Sequence, residues 1–202
     1  MTRVIIADDH PLMLSGISGL LANSAYEVLA RLTNGRAALA AILSEKPDIA
    51  IIDNSMPGLT GVEIIREIRI SGISVKIVLL TADLNDDDLL EAVLLGVEGI
   101  VFKAGGGGEL IECLERVSAG LHWISRDILN RAARLKEERA KDPYNQLTPR
   151  ERQITELVAA GLRNRAIADQ CGLTEGTVKV YLNRIYEKLG VSSRMELSAF
   201  RR

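Results

Sequence analysis

Three carboxylates, a hydroxyl and an ammonium in the first half of this 202-residue chain stand where they can act together. Asp53 closes the apolar run Ile49-Ala50-Ile51-Ile52 and is followed at once by Asn54-Ser55-Met56-Pro57-Gly58. Val4-Ile5-Ile6-Ala7 stops at Asp8-Asp9, Val75 to Leu80 stops at Thr81, and Ile100-Val101-Phe102 stops at Lys103. Converging acids repel, so such a site holds a hard divalent cation, and Mg2+ takes a few carboxylates, a carbonyl and several waters. Asp8 and Asp9 would position the ion while Asp53 shares it. A metal-bound carboxylate beside a phosphodonor is a nucleophile that forms an acyl phosphate. The metal and Lys103 would offset the phosphoryl charge, and Thr81 would hydrogen-bond a phosphoryl oxygen. The chemistry expected is acceptance of a phosphoryl group by Asp53 in a solvent-facing crevice.

Convergence requires that the four runs be neighbouring strands. Short apolar runs bounded by turn signals and alternating with helical patterns read as parallel strands buried on both faces. Strands are predicted near 3–8, 26–32, 48–53, 75–81 and 98–103, and helices near 11–23, 35–45, 60–71, 85–95 and 109–119. The fold class is α/β, a doubly wound five-stranded parallel sheet whose crevice lies beyond the carboxyl ends of the strands. The run Gly105-Gly106-Gly107-Gly108 lacks a following Gly-Lys-Ser/Thr and is expected as a loose loop rather than a phosphate cradle. His10 and His122 are expected in loop packing or solvation, and Met13 and Met56 in packing.

A second section begins near residue 125. Ser125 can cap a helix carrying Ile128, Leu129, Ala132 and Leu135 among charged residues, and Pro143 bars its continuation, which makes a semi-rigid connector. Thr148-Pro149-Arg150-Glu151 is a capping box with proline at the first helical position. That helix stops at Gly161, a short one ends at Cys171-Gly172, and Thr174 caps a third running from Glu175 to about Leu189. Two helices joined by a tight turn with glycine, the second basic and polar on one side, make a small all-α helix-turn-helix domain. Val178, Leu182, Ile185 and Leu189 face the core, which leaves Thr177, Lys179, Val180, Asn183, Arg184 and Lys188 on or beside the outer faces.

Charge supports two partners. Residues 1–124 carry 9 Lys+Arg against 17 Asp+Glu, net −8, while 147–202 carry 10 against 6, net +4, which points the rear half to nucleic acid. Cys113 and Cys171, far apart and without His or Cys at metal spacing, are expected as buried thiols in a reducing cytosol. No run approaches 18 apolar residues and the start lacks a signal segment, so a cytoplasmic location without membrane contact is expected.

The front half resembles the receiver domain of bacterial two-component response regulators, on Asp8-Asp9, Asp53 with Met56-Pro57-Gly58 and Gly61, Thr81-Ala82, and Lys103. The rear half resembles the LuxR-type helix-turn-helix, on Leu147 to Glu151, Ala160-Gly161-Leu162, Asn164, Ile167-Ala168, Thr177-Val178-Lys179 and Lys188 to Val191 with Ser193-Arg194. Together they resemble the NarL/FixJ class over nearly the whole chain. The resemblance implies a flavodoxin-like receiver over 1–122, a helical linker over 123–146 and a DNA-binding domain over 147–202. It implies phosphorylation of Asp53 by a sensor histidine kinase, with Thr81 and Lys103 assisting and Mg2+ held by Asp8, Asp9, Asp53 and the backbone carbonyl of Ser55. It places base contacts at Lys179, Val180 and Asn183 on double-stranded DNA, with Thr177, Arg184 and Lys188 as phosphate contacts. Activation by homodimerisation and release of the DNA-binding domain is expected. Three places depart from the pattern: Ile100 stands where the family often has Tyr or Phe, Ala104 and the glycines after it replace the usual helix-capping approach, and Asn183 stands where some members have lysine.

The rival classes are a same-fold regulator that acts without phosphorylation and an aspartyl-nucleophile phosphatase of the haloacid-dehalogenase sort. The phosphatase needs a second carboxylate two residues after the nucleophile, on the first strand; here that residue is Ser55, and Asp53 ends the third. A regulator rather than an enzyme is the reading.

Overall fold

Four of the five front-half strands are largely apolar on both faces, the exception being the run 26–32 with exposed Glu27 and Arg31, and such strands are stable only with helices packed on each side. β1 (Thr2–Ala7), β2 (Tyr26–Leu32), β3 (Ile49–Asp53), β4 (Lys76–Thr81) and β5 (Gly99–Phe102) form one sheet in the order β2-β1-β3-β4-β5, every pair parallel. The two-residue period of a strand sorts the side chains into two cores. Ile5, Ala50, Ile52, Ile77, Leu79 and Ile100 face one; Ile6, Ile49, Ile51, Val78, Leu80 and Val101 face the other. The first is covered by α2 (Gly35–Glu45), α3 (Gly61–Ser71) and α4 (Asp86–Leu94), the second by α1 (Pro11–Leu21) and α5 (Gly106–Ser118). The strand order reverses between β1 and β3, where the crevice of a doubly wound sheet lies. The computed structural model describes residues 1–22 and 24–199, and the chain divides into two compact units, Met1–Leu135 and Lys136–Arg202.

The Gly105–Gly108 run is not the loose loop expected from sequence. Lys103–Gly105 makes one tight turn and α5 opens at Gly106, whose φ of 79° suits glycine. A Cβ on Gly107 would stand 2.7 Å from Leu20 Cδ1, so bare backbone lets the first turn of α5 settle onto α1. That contact holds a helical start that propensity alone disfavours.

The segment after α5 adds a contact at the sheet edge. Trp123 bridges Gly99, with Ile100 N–H donating to Trp123 O (2.9 Å) and Trp123 N–H to Glu98 O (2.8 Å). α6 (Arg126–Lys141) follows; its Ile128 and Ala132 join the first core, and Arg131 pairs with Asp86 of α4 at 2.6 Å.

The rear unit contains α7 (Pro149–Ala159), α8 (Asn164–Cys171), α9 (Glu175–Leu189) and α10 (Arg194–Ala199), of which sequence reasoning missed the short α10. α7 opens on the anticipated capping box: Thr148 Oγ1 accepts from Glu151 N–H and Glu151 Oε2 from Thr148 N–H. Val178, Leu182, Ile185 and Leu189 of α9 are buried, each worth about 1.5–3 kcal/mol of transfer free energy. Cys113 and Cys171 are buried free thiols, as expected. Among the described residues, no helix is long and apolar enough to cross a membrane.

Candidate functional site

β1, β3 and β5 bring three of the predicted groups into contact. Lys103 Nζ lies 2.9 Å from Asp8 Oδ2 and 2.9 Å from Asp53 Oδ2. Asp53 is 1% exposed, so the crevice read as solvent-facing is closed over the carboxylate. The lysine, after the end of β5, folds back across both strand ends, because two carboxylates buried together need a cation. Burial pushes the Asp53 carboxyl above its ordinary pKa, against the opposing pull of Lys103 and of the Ser55 backbone amide that donates to it. Burial also opposes the charge on Lys103, but its contacts with Asp53 and Asp8 outweigh that and raise its pKa.

Asp9 is half-buried beside them, and His10 completes the cluster. His10 Nδ1 stands 2.7 Å from Asp9 Oδ1 and 3.1 Å from Asp8 Oδ1, and the His10 amide donates to Asp8 Oδ1 at 2.9 Å. His10, read from sequence as loop packing or solvation, has a side chain 66% exposed, with its ring against the acids. One ligand atom from each of Asp8, Asp9, His10 and Asp53 lies within 4.8 Å of the others. Asp8 Oδ2, Asp9 Oδ1 and Asp53 Oδ2 are buried without a well-directed hydrogen bond, the lysine and histidine contacts being ion pairs only. Buried, under-satisfied carboxylate oxygens converging at a strand edge fit a hard divalent cation.

Thr81, at the end of β4, is 1% exposed, and its hydroxyl donates to Asp83 O at 2.5 Å. The hydroxyl thus engages the loop after β4 rather than Asp53. Ser55 is exposed.

Two residues to which the sequence reading gave no role at the site fix Asp53 in place. Asn54 donates from Nδ2 to Asp88 Oδ2 of α4 (2.9 Å) and accepts at Oδ1 from Val62 N–H of α3 (3.2 Å). Gly61 lets α3 start directly on β3: a Cβ there would stand 2.8 Å from Asn54 Cα and 2.8 Å from Asp53 O. Conflict between a polar residue and a buried position was the one signal for Asn54, and it is weak beside a carboxylate.

On α9, Lys179, Val180, Asn183 and Arg184 are exposed along the helix, and Thr177, half-buried, bonds the N-cap Thr174 through the two hydroxyls (2.8 Å). Lys179 and Asn183 border a groove with Arg163, Asn164, Tyr186 and Arg194. Arg163 was not singled out from sequence, and Arg194 was named only as part of the LuxR-type resemblance. Arg194 ties the start of α10 to Asn164 Oδ1 (2.9 Å) and Leu162 O. Lys188, read as a phosphate contact, instead places Nζ 2.7 Å from Glu151 Oε2. Glu151 is 3% exposed; burial raises its carboxyl pKa, but Lys188 and the Thr148 amide outweigh that and hold it below the usual range.

The chain matches two family models, "Response regulator receiver domain" over residues 4–115 and "Bacterial regulatory proteins, luxR family" over 145–200. It is 31% identical to the nitrate/nitrite response regulator protein NarL of Escherichia coli over 98% of this chain and 93% of that protein. It is 33% identical to the DNA-binding transcriptional activator DevR/DosR of Mycobacterium tuberculosis, over 99% and 94%. Among solved structures, RcsB from Salmonella enterica serovar Typhimurium, bound to promoter P1flhDC in the presence of phosphomimetic BeF3-, aligns with a TM-score of 0.60 and 28% identity over 98% of this chain and 96% of that one.

Proposed function

The chain belongs to the response regulators that join a receiver domain to a LuxR-type DNA-binding domain and regulate transcription, and from that premise we propose that phosphorylation of Asp53 by a sensor histidine kinase controls its grip on DNA. The observation that carries the reading is Lys103 bridging Asp8 and Asp53 at 2.9 Å each, at the strand ends where the sheet order reverses.

Asp8, Asp9 and Asp53, with the Ser55 carbonyl, would hold Mg2+, which when bound draws negative charge off the incoming phosphoryl oxygens. Asp53 attacks phosphorus through a carboxylate oxygen, the donor's leaving group departs, and an acyl phosphate remains on Asp53. Lys103 exchanges its Asp53 contact for a phosphoryl oxygen, and Thr81 releases Asp83 O to donate to another. Loss of the Thr81 bond frees the loop leading to α4, and the Asn54–Asp88 hydrogen bond ties the same helix to the site. Dimerisation through the altered face and release of the rear domain follow in this reading. The functional division is receiver 1–122, linker 123–146 and output 147–202. Lys179, Val180 and Asn183 read base edges in the major groove, with Thr177 and Arg184 on phosphates.

Incubation with a small phosphodonor and Mg2+, followed by intact and native mass, tests this. A gain of about 80 Da, the mass of one phosphoryl group, with a shift toward dimer supports it. An unchanged mass would leave a regulator that works without phosphorylation.

A further inference from the structure

We propose that the first half of α6 is a latch on α4, and that its grip is set from the phosphoacceptor strand through the first turn of α4. The proposal rests on the reading of Asp53 as phosphoacceptor and adds to it the device that carries the change to the connector.

The first turn of α4 is held from two sides. On one, Asp88 Oδ2 accepts from Asn54 Nδ2 at 2.9 Å and from Asn85 Nδ2 at 3.0 Å, so the residue next to Asp53 is tied to the helix and to its N-cap. Asn85 Oδ1 in turn accepts from the Asp88 amide at 2.8 Å, which joins cap and tie in one unit. On the other side, Asp86 Oδ1 takes Arg131 Nε at 2.8 Å and Nη2 at 2.6 Å, a two-donor contact from α6.

Little else keeps α6 there. Among its 16 residues Ile128 and Ala132 alone are buried, with Leu135 packed against the same core. The side chains of Arg131 and Asp86 are 44% and 55% exposed, so water and salt screen the pair. So narrow an apolar stripe is a light grip, within reach of a switch that shifts an equilibrium by about 5- to 150-fold. α6 continues to Lys141, past Leu135 where the first unit ends, so the latched helix also carries the chain into the second.

The two ties share one helical turn, whose backbone hydrogen bonds make it move as a body. A change at Asp53 that pulls on Asn54, or that frees the Thr81–Asp83 bond just before Asn85, therefore draws Asp86 away from Arg131 and loosens α6. A helix that merely filled a gap in the core would depend on Ile128 and Ala132 and be indifferent to the charges at 86 and 131.

Amide hydrogen exchange over residues 126–135 reads the latch in the full chain, with and without acetyl phosphate and Mg2+, alongside intact mass. In the unmodified chain acetyl phosphate should speed that exchange about fivefold or more. Arg131→Asp should do so without phosphodonor and tighten binding to random-sequence duplex DNA, and adding Asp86→Arg should restore slow exchange and weak binding. Ile128→Ala, which trims the apolar stripe, should act as Arg131→Asp does. Asp88→Ala should gain the phosphoryl mass and leave the exchange of α6 unresponsive. Exchange in Arg131→Asp equal to that of the unmodified chain, or no rescue by the charge swap, would overturn the latch. An α6 as slow after the mass gain as before it, or a full response in Asp88→Ala, would overturn its control from the phosphoacceptor strand. An unchanged mass would sink the reading of Asp53 instead, and the charge-swap variants would still decide the latch. Thermal unfolding checks that every variant folds.

Discussion

Asp53 and Lys103 form a charge pair whose geometry divides labour sharply. Asp53→Asn keeps the shape and leaves Lys103 with Asp8, so the variant should fold, release the strain of a buried charge and gain no mass from a phosphodonor. If intact mass still rises by about 80 Da, another residue accepts the phosphoryl group. On α9 the same reasoning separates two polar residues, Asn183 and Lys188, five positions apart. Asn183 is exposed and unpaired by Glu151, so Asn183→Ala should shift sequence preference, by about 1–3 kcal/mol at the base it reads. Lys188 is committed to Glu151, so Lys188→Ala should lower the melting temperature while leaving the salt slope of DNA binding intact. A slope reduced by about one unit would return Lys188 to the phosphates. The partners of His10 and Lys188 were not legible for one reason: the residue types were, but the partners are set by turns and helices whose packing no local pattern specifies.

At the scale of elements, two junctions are open to test. The α3 start presses on β3 at Gly61, and an added methyl meets backbone at 2.8 Å that cannot swing aside. Gly61→Ala should cost about 1–3 kcal/mol by overpacking and slow phosphorylation as well, since the displaced atoms belong to Asp53 and Asn54; thermal melts with phosphorylation rates check both. The α7–α9 junction carries a pH dependence. The folded state holds the Glu151 carboxyl below its reference value of 4.5, so its contribution is fully present above that value and is lost as pH falls through the lowered one. An acid titration of the rear unit should therefore lose less stability below pH 4.5 in Glu151→Gln than in the unmodified chain; parallel curves would count against the pair. The Thr148 capping box, the apolar strand runs and the α9 stripe were legible, because each is a pattern of short period along the chain. The glycine run and α10 were not, since neighbours elsewhere in the fold hold them in place.

For the whole molecule, the proposed function turns on how firmly phosphorylation of Asp53 would be coupled to DNA affinity. Such couplings are typically about 1–3 kcal/mol, or 5- to 150-fold. Ile100 is 3% exposed and lies on the same face of β5 as Phe102, beside a cavity of about 280 Å3 that Trp123 and Ile128 also line. A β-branched side chain that size cannot repeat the rotation of an aromatic ring. We expect a weak coupling, with an appreciable active fraction before phosphorylation, and a stronger response in Ile100→Tyr, whose ring has that cavity to enter. DNA affinity with and without phosphodonor decides it: a native change far above a hundredfold, or no gain from Tyr, would show the missing ring to be irrelevant.

Sequence by itself determined the two domain types, the five-stranded parallel sheet and the set Asp8, Asp9, Asp53, Thr81 and Lys103, because strand ends in a parallel sheet must share one edge and the apolar runs end at those residues. Tertiary structure alone decided who touches whom at that edge. Lys103 bridges Asp8 and Asp53, Thr81 turns to Asp83, His10 leans over the acids and Asn54 reaches Asp88. Each of these depends on a side chain choosing among several partners within reach, and that choice is settled by burial and by the positions of backbone far away in the chain.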